Sequence, residues 1–325
     1  MMRLLFLLLI IIPVSFCNAN FVIDTSFKET AVQLVTSDGP VYGTLLIPES
    51  ANKVPVAVIV SGSGPTDRNG NSVFTKNNSL QKLAEGLAPE HIASLRFDKR
   101  GVGESKAAIK SESTLRFENY VDDVKAWVNL LKKDKRFSQV IIIGHSEGSL
   151  IGMAAAERAD KFVSVAGPGR SGDQALREQF LKQPQQIKDA ALPILDSLSH
   201  GKKVDSIPPM LFMLFRPSVQ PYLVSWFKYQ PAKLIAGLKI PVLILQGEKD
   251  LQVTTEDAKL LAQANKSAKL VLISTMNHVL KDVGDDKDAN SKTYNDPGLP
   301  VNGELIKVIA EFITGKNQKT GARTL

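Results

Sequence analysis

A single cysteine, Cys17, stands in the 325 residues, and it directly follows an N-terminal apolar stretch. That stretch, residues 4–16, follows Arg3, is broken by Pro13 and leads into Cys17-Asn18-Ala19. It has the form of a cleavable export signal, with cleavage expected after Ala19 and the product expected in the periplasm or outside the cell. It is shorter than the about 20 apolar residues that a membrane-spanning helix requires, so no stable span is expected once the signal is cut. Phe16 is too bulky for the position before a lipid-modified cysteine. Removal of residues 1–19 takes away the only thiol, which excludes a disulfide framework and a cysteine nucleophile and leaves the core to carry its own stability. Also missing are C-x-x-C, H-E-x-x-H, a P-loop and a phosphate-binding G-x-G-x-x-G, so neither a metal nor an organic cofactor is expected. Lys and Arg (40) exceed Asp and Glu (33) for a net charge of +7, but the two signs are interspersed. A basic solvated surface accounts for that pattern better than a nucleic-acid site. Histidine is scarce too, with four residues, which narrows the choice of any general base.

Against these absences one segment is rich in information. Gly144-His145-Ser146-Glu147-Gly148 directly follows the apolar run 140–143 and precedes the small-residue stretch 149–156. Strand, sharp turn and helix are the context in which G-x-S-x-G presents a serine nucleophile. A serine at such a turn needs a strained backbone with positive φ, and residues two before and two after it must have almost no side chain. Gly144 and Gly148 satisfy that demand.

Serine needs a base to remove its proton, and the base needs a carboxylate to fix its tautomer and stabilise the imidazolium. His145 adjoins the nucleophile, where strand alternation turns its side chain away, so it is expected to pack. His91 reads as a surface residue at a strand entrance and His200 as a solvated residue between helices. His278 follows the apolar run 269–273 in a loop at a strand's carboxyl end, the place for a catalytic base. The buried-strand candidate 240–246 ends in Gly247-Glu248-Lys249-Asp250, and Asp250 is the expected acid. Glu248, nearer the strand, and Asp257, at the next helix start, are the alternatives.

The chain order Ser146, Asp250, His278 is that of the α/β-hydrolase fold. On these residues the chain resembles the α/β-hydrolase superfamily, and within it the secreted bacterial esterase and serine-aminopeptidase-like branch. Three further segments carry the likeness: Ser61-Gly62-Ser63-Gly64-Pro65-Thr66-Asp67-Arg68-Asn69-Gly70-Asn71, Arg96-Phe97-Asp98-Lys99-Arg100-Gly101-Val102-Gly103-Glu104-Ser105 and Arg216-Pro217-Ser218-Val219-Gln220-Pro221-Tyr222. The resemblance implies an oxyanion hole made by the backbone N–H groups of Ser63 and Glu147, with Ser61 in place of the histidine usual in such loops. The 96–105 segment reads as a charged loop bracing the site's rim, with no catalytic role. Glu147 reads either as a favourable charge at a helix start or as a group that meets substrate charge.

The expected fold is therefore α/β: a mostly parallel central sheet with an N-terminal β-hairpin (31–47), helices on both faces and a helical insertion. Strands are expected at 54–60, 92–97, 140–143, 162–166, 242–246 and 270–273, with a crossover helix over 120–133. Residues 20–166 and 239–325 form the core, and residues 167–238, which contain no comparable strand, form a helical lid over Ser146. Some of the lid's apolar side chains are expected to make an acyl or alkoxy site. The resemblance and this lid imply a serine hydrolase acting on small-molecule carboxylic esters with small to medium acyl groups. An aminopeptidase is the alternative and requires Glu147, Asp67 or another acid to bind a substrate amine. A thioesterase fits export poorly, and an intact triad argues against a non-enzymatic binding protein. Oligomeric state is not legible.

Overall fold

The computed structural model describes residues 27–316. The expected export signal, Cys17 included, lies outside the described residues. Strands β1 (Phe27–Thr36) and β2 (Gly39–Pro48) form the leading hairpin, joined by the two-residue turn Ser37-Asp38. They are followed by β3 (Val54–Val60), β4 (Ala93–Phe97), β5 (Phe137–His145), β6 (Lys161–Val165), β7 (Val242–Gly247) and β8 (Lys269–Ile273). These make one eight-stranded sheet in the order β1-β2-β4-β3-β5-β6-β7-β8. Only the pairings of β2 with β1 and β4 are antiparallel. The remaining strands run parallel, as continuous apolar runs buried on both faces do.

Alternation along these strands supplies two cores. Val56, Val58, Val60, Val140 and Ile142 face α2 (Phe117–Lys132) and α3 (Glu147–Ala155), where Phe117, Trp127, Leu150 and Ile151 are buried. Ala57, Ile59, Ile141 and Ile143 face α1 (Ser79–Leu87) and the C-terminal helix (Gly303–Thr314), through Leu83, Leu87, Leu305 and Ile309. Each long apolar side chain buried this way contributes roughly 1.5–3 kcal/mol.

Between β6 and β7 the described chain is helical: α4 (Gly172–Leu181), α5 (Gln185–Ser199), α6 (Phe212–Phe215), α7 (Gln220–Trp226) and α8 (Pro231–Gly237). Leu195, Leu198, Phe215 and Leu223 of this insertion join the α2 and α3 core, while Met210, Phe212 and Met213 are exposed. After β7 come α9 (Thr255–Ala264) and α10 (Lys287–Lys292), so that the C-terminal helix is α11. No helix among the described residues is long and apolar enough to cross a membrane.

Register then decides which loops meet. Val60 pairs with Gly144, His145 with Val165, Val165 with Leu245, and Gly247 with Ile273. The loops after β3, β5, β7 and β8 therefore leave the sheet at its carboxyl end, where open parallel sheets bind ligands.

Candidate active site

Ser146 sits between β5 and α3 with φ 55° and ψ −125°, a conformation that a non-glycine residue keeps only when its surroundings impose it. Packing supplies the constraint. A Cβ on Gly148 would lie 2.3 Å from the Val60 carbonyl oxygen, and one on Gly144 would lie 2.3 Å from the Gly148 carbonyl oxygen. The turn can therefore close only with glycine on both sides. The Ser146 N–H donates to the Val165 carbonyl at 3.0 Å, tying the turn to β6.

His278 and Ser146 line one cavity of about 180 Å³, together with Ser63, Asn77, Gln252 and Tyr294. No Asp or Glu occurs among the described residues that line it. Behind His278, its Nδ1 meets Asp250 Oδ2 at 2.8 Å. Asp250 Oδ1 accepts the backbone N–H groups of Gln252 (2.7 Å) and Val253 (2.9 Å), and Oδ2 also accepts from Gln246 Nε2 at 3.1 Å. Burial raises the Asp250 pKa, but His278 and the two backbone donors outweigh it and hold the carboxyl below its usual range. Neither alternative acid bonds His278 among the described residues. Glu248 is exposed, and Asp257 caps α9 through Thr254 while pairing with Arg170 at 2.8 Å.

The loop after β3 comes close to the serine. A Cβ on Gly62 would lie 3.1 Å from Ser146 Cβ and 3.5 Å from Ser146 Oγ, so Ser63 follows directly on the closest approach. Glu147 begins α3, but its side chain does not project to solvent. It is buried, with Oε1 accepting the Tyr222 hydroxyl at 2.8 Å and Oε2 standing 3.5 Å from Lys99 Nζ. Burial and the Glu147 charge both push the Tyr222 phenol upward, which keeps it a donor. Lys99, 1% exposed, donates to the Gly62 carbonyl at 2.6 Å and lies 4.9 Å from the centre of the Tyr120 ring. Burial lowers its pKa, and Glu147 opposes that shift.

The bracing role expected of residues 96–105 is visible in Asp98, which accepts from the Arg68 guanidinium at 2.6 Å, and in Arg100, which pairs with Asp123 and Asp38. Lys99 goes beyond that expectation. The 216–222 segment ties the insertion to the core, since Arg216 and Ser218 both bond Glu112 and Tyr222 bonds Glu147. A second cavity of about 270 Å³ lies between the two, walled by Pro65, Lys99, Tyr120, Val219 and Tyr222 among others.

His145 is buried, as a packing residue would be, and it also lines the cavity with Ser146. Its Nε2 lies 2.8 Å from the His278 carbonyl oxygen and its ring centre 5.0 Å from that of His278. Burial, then the neighbouring His278, bring its pKa down to about 4, so at neutral pH the ring is uncharged and its Nε2–H donates to the carbonyl. A stability effect follows. The unfolded histidine takes up a proton near pH 6.5 and the folded one only near 4, so the contribution is complete above about pH 6.5 and is lost as pH falls toward 4. Urea unfolding at pH 7 and pH 4.5 is expected to show about 2–3 kcal/mol more acid destabilisation in the wild type than in His145→Asn. Parallel losses in the two proteins would rule this account out.

His91, with φ 56°, and His200, whose Nδ1 bonds the Asp196 carbonyl, are both exposed and away from the site. Among the described residues no group of three or more His, Cys, Asp or Glu side chains is arranged to hold a metal ion.

Comparison with known proteins agrees with this architecture. Residues 75–208 match the family model described as serine aminopeptidase, S33. Over 272 residues the chain is 30% identical to esterase EstD of Thermotoga maritima, in an alignment covering 80% of this chain and 62% of that protein. The chain thus spans less than two thirds of that relative's length. Among solved structures, Est1E of Butyrivibrio proteoclasticus with ferulic acid bound superposes with a TM-score of 0.60 at 18% identity, over 88% of this chain and 100% of the other. The α/β hydrolase GrgF of a Penicillium species gives 0.58 at 17%, over 89% and 98%. The Pyrococcus furiosus esterase Pf2001 gives 0.52 at 17%, over 89% and 93%. The fold is that of the α/β hydrolases.

Proposed function

We propose that this protein is an exported serine hydrolase that cleaves carboxylic esters of small to medium acyl groups through Ser146, His278 and Asp250. The observation that carries the reading is the Asp250–His278 hydrogen bond behind a cavity that His278 shares with a serine in a strained strand-to-helix turn. His278 Nε2 takes the Ser146 proton as Oγ attacks the ester carbonyl, and Nδ1–H stays donated to Asp250. The N–H groups of Ser63 and Glu147 hold the tetrahedral oxyanion. The alcohol leaves with the proton from His278, and water repeats the cycle on the acyl-enzyme. The acyl chain occupies the cavity under Val219 and Tyr222, with the helical insertion as its lid. Likeness to esterase EstD supports the ester reading.

The match to the serine aminopeptidase model supports a second reading, in which a carboxylate binds the substrate's free amine. The acids considered for that task are otherwise engaged: Glu147 is covered by Tyr222 and Lys99, and Asp67 accepts the N–H groups of Asn69 and Asn71 in its own loop. Esters are therefore the favoured substrates. The test compares p-nitrophenyl esters of rising acyl length with aminoacyl-p-nitroanilides. Esters are expected to be cleaved with kcat/KM rising about fourfold per added methylene, from about 0.8 kcal/mol each, until the cavity is full. Inert anilides would agree with this assignment, and preferential anilide cleavage would move the protein to the aminopeptidases.

A further inference from the structure

We propose that Lys99 is a positioning residue for the oxyanion hole, its buried ammonium fixing both backbone donors at once. The proposal rests on the assignment of Ser63 and Glu147 as those donors.

The carbonyl that accepts from Lys99, at 2.6 Å, belongs to the Gly62–Ser63 peptide. In a trans peptide the C=O and the N–H point in opposite directions across one rigid plane. Holding the Gly62 oxygen against Lys99 therefore aims the Ser63 N–H away from the lysine, and Ser63 lines the cavity that holds Ser146. Without that bond the plane rests on a loop flanked by two glycines, Gly62 and Gly64, whose torsions are free to let it turn. A cation on the carbonyl also polarises the peptide and strengthens its N–H as a donor, in the manner of hydrogen-bond chains.

The same ammonium stands 3.5 Å from Glu147 Oε2, the side chain of the residue that carries the other donor. That oxygen is buried and has no hydrogen-bond partner among the described residues, so Lys99 is its compensating charge. Tyr222 holds the other carboxylate oxygen, and the Tyr120 ring faces the remaining side of the ammonium. The three directions of the ammonium are thus occupied by the β3 loop, the first residue of α3 and an aromatic ring on α2. Donors placed in advance need no rearrangement as the oxyanion forms, which is where such a hole gains its effect.

The test measures ester turnover and inhibition by an alkyl trifluoromethyl ketone, whose serine adduct places an oxyanion in the hole. Lys99→Met keeps most of the apolar stem and removes the ammonium. Lys99→Met/Glu147→Gln removes both buried charges together, retains the Glu147 backbone N–H as that of Gln, and avoids an unpaired carboxylate. Each variant is expected to lose roughly a hundredfold to a thousandfold in kcat, as when one oxyanion donor is lost. KM should change little, and the inhibition constant should weaken by a factor similar to the kcat loss. A folded variant with kcat and inhibition near wild type overturns the proposal, as does a loss seen only in KM. Failure of both variants to fold would assign Lys99 to the core and overturn it as well. A wild type that cleaves no ester at all would instead count against the proposed function.

Discussion

Ser146→Ala is expected to lower ester kcat by about 10⁴- to 10⁶-fold, the range seen when a member of a serine triad is removed, with the fold retained. Alanine has the size of serine without its hydroxyl and meets the same neighbours, so Gly62 and the Val165 carbonyl still find their contacts. The strained backbone also remains, because alanine tolerates φ 55° no better than serine. Ser146→Gly removes nucleophile and strain together. It should equal the alanine variant in inactivity while being more stable to unfolding, by an amount within the roughly 1–3 kcal/mol that such a residue stores. Turnover assays and thermal unfolding of the two variants separate catalysis from stability. Activity near wild type in Ser146→Ala would reassign the nucleophile. Ser149 and Ser164 offer no ready replacement, since their hydroxyls are buried against each other at 2.7 Å.

The sheet was legible because its signals are local. Continuous β-branched runs mark strands buried on both faces, and the observed β3, β5 and β7 fall on the expected runs to within a few residues. The strand-to-helix turn at Ser146 was legible for a related reason: its steric demands fall on Gly144 and Gly148, inside the same five residues. What could not be read is what the register assembles from distant segments. Lys99 looks like one more charge in a polar loop, and only the β3–β4 and β3–β5 pairings bring its side chain under Gly62 and against Glu147. Tyr222 reads as an aromatic of the insertion, and nothing near it in sequence announces a buried carboxylate. His145 shows what a packing assignment leaves out. Its burial follows from the sequence, but its bond to the His278 carbonyl joins residues 133 positions apart, which no local pattern announces. Glu147 shows a third limit. A carboxylate in a first helical turn has a sufficient local explanation in the helix dipole, and that sufficiency hides its ion pair.

Asp250→Asn is expected to cost about 10⁴-fold in kcat with little effect on KM, and the hydrogen bonds around the carboxylate give the reason. All four groups that approach Asp250 are donors: the N–H groups of Gln252 and Val253 on Oδ1, and His278 Nδ1 and Gln246 Nε2 on Oδ2. An amide has one accepting end. Turned with its NH₂ toward Gln252 and Val253, it sets donor against two backbone donors that cannot turn over. Turned the other way, its oxygen satisfies the backbone and its NH₂ faces His278. The imidazole can answer that change by moving its proton from Nδ1 to Nε2, with no displacement of the ring. The second orientation is therefore favoured, and it leaves His278 with a proton on the nitrogen that must receive the one from Ser146. Binding of ester is untouched, because Asp250 does not line the cavity that holds Ser146, so the loss falls on turnover. Steady-state kinetics of Asp250→Asn beside Glu248→Gln makes the comparison, since Glu248 is exposed and its substitution should leave kcat within about twofold, as surface changes usually do. Should Asp250→Asn turn over ester like the wild type while Glu248→Gln does not, the acid that orients His278 is Glu248.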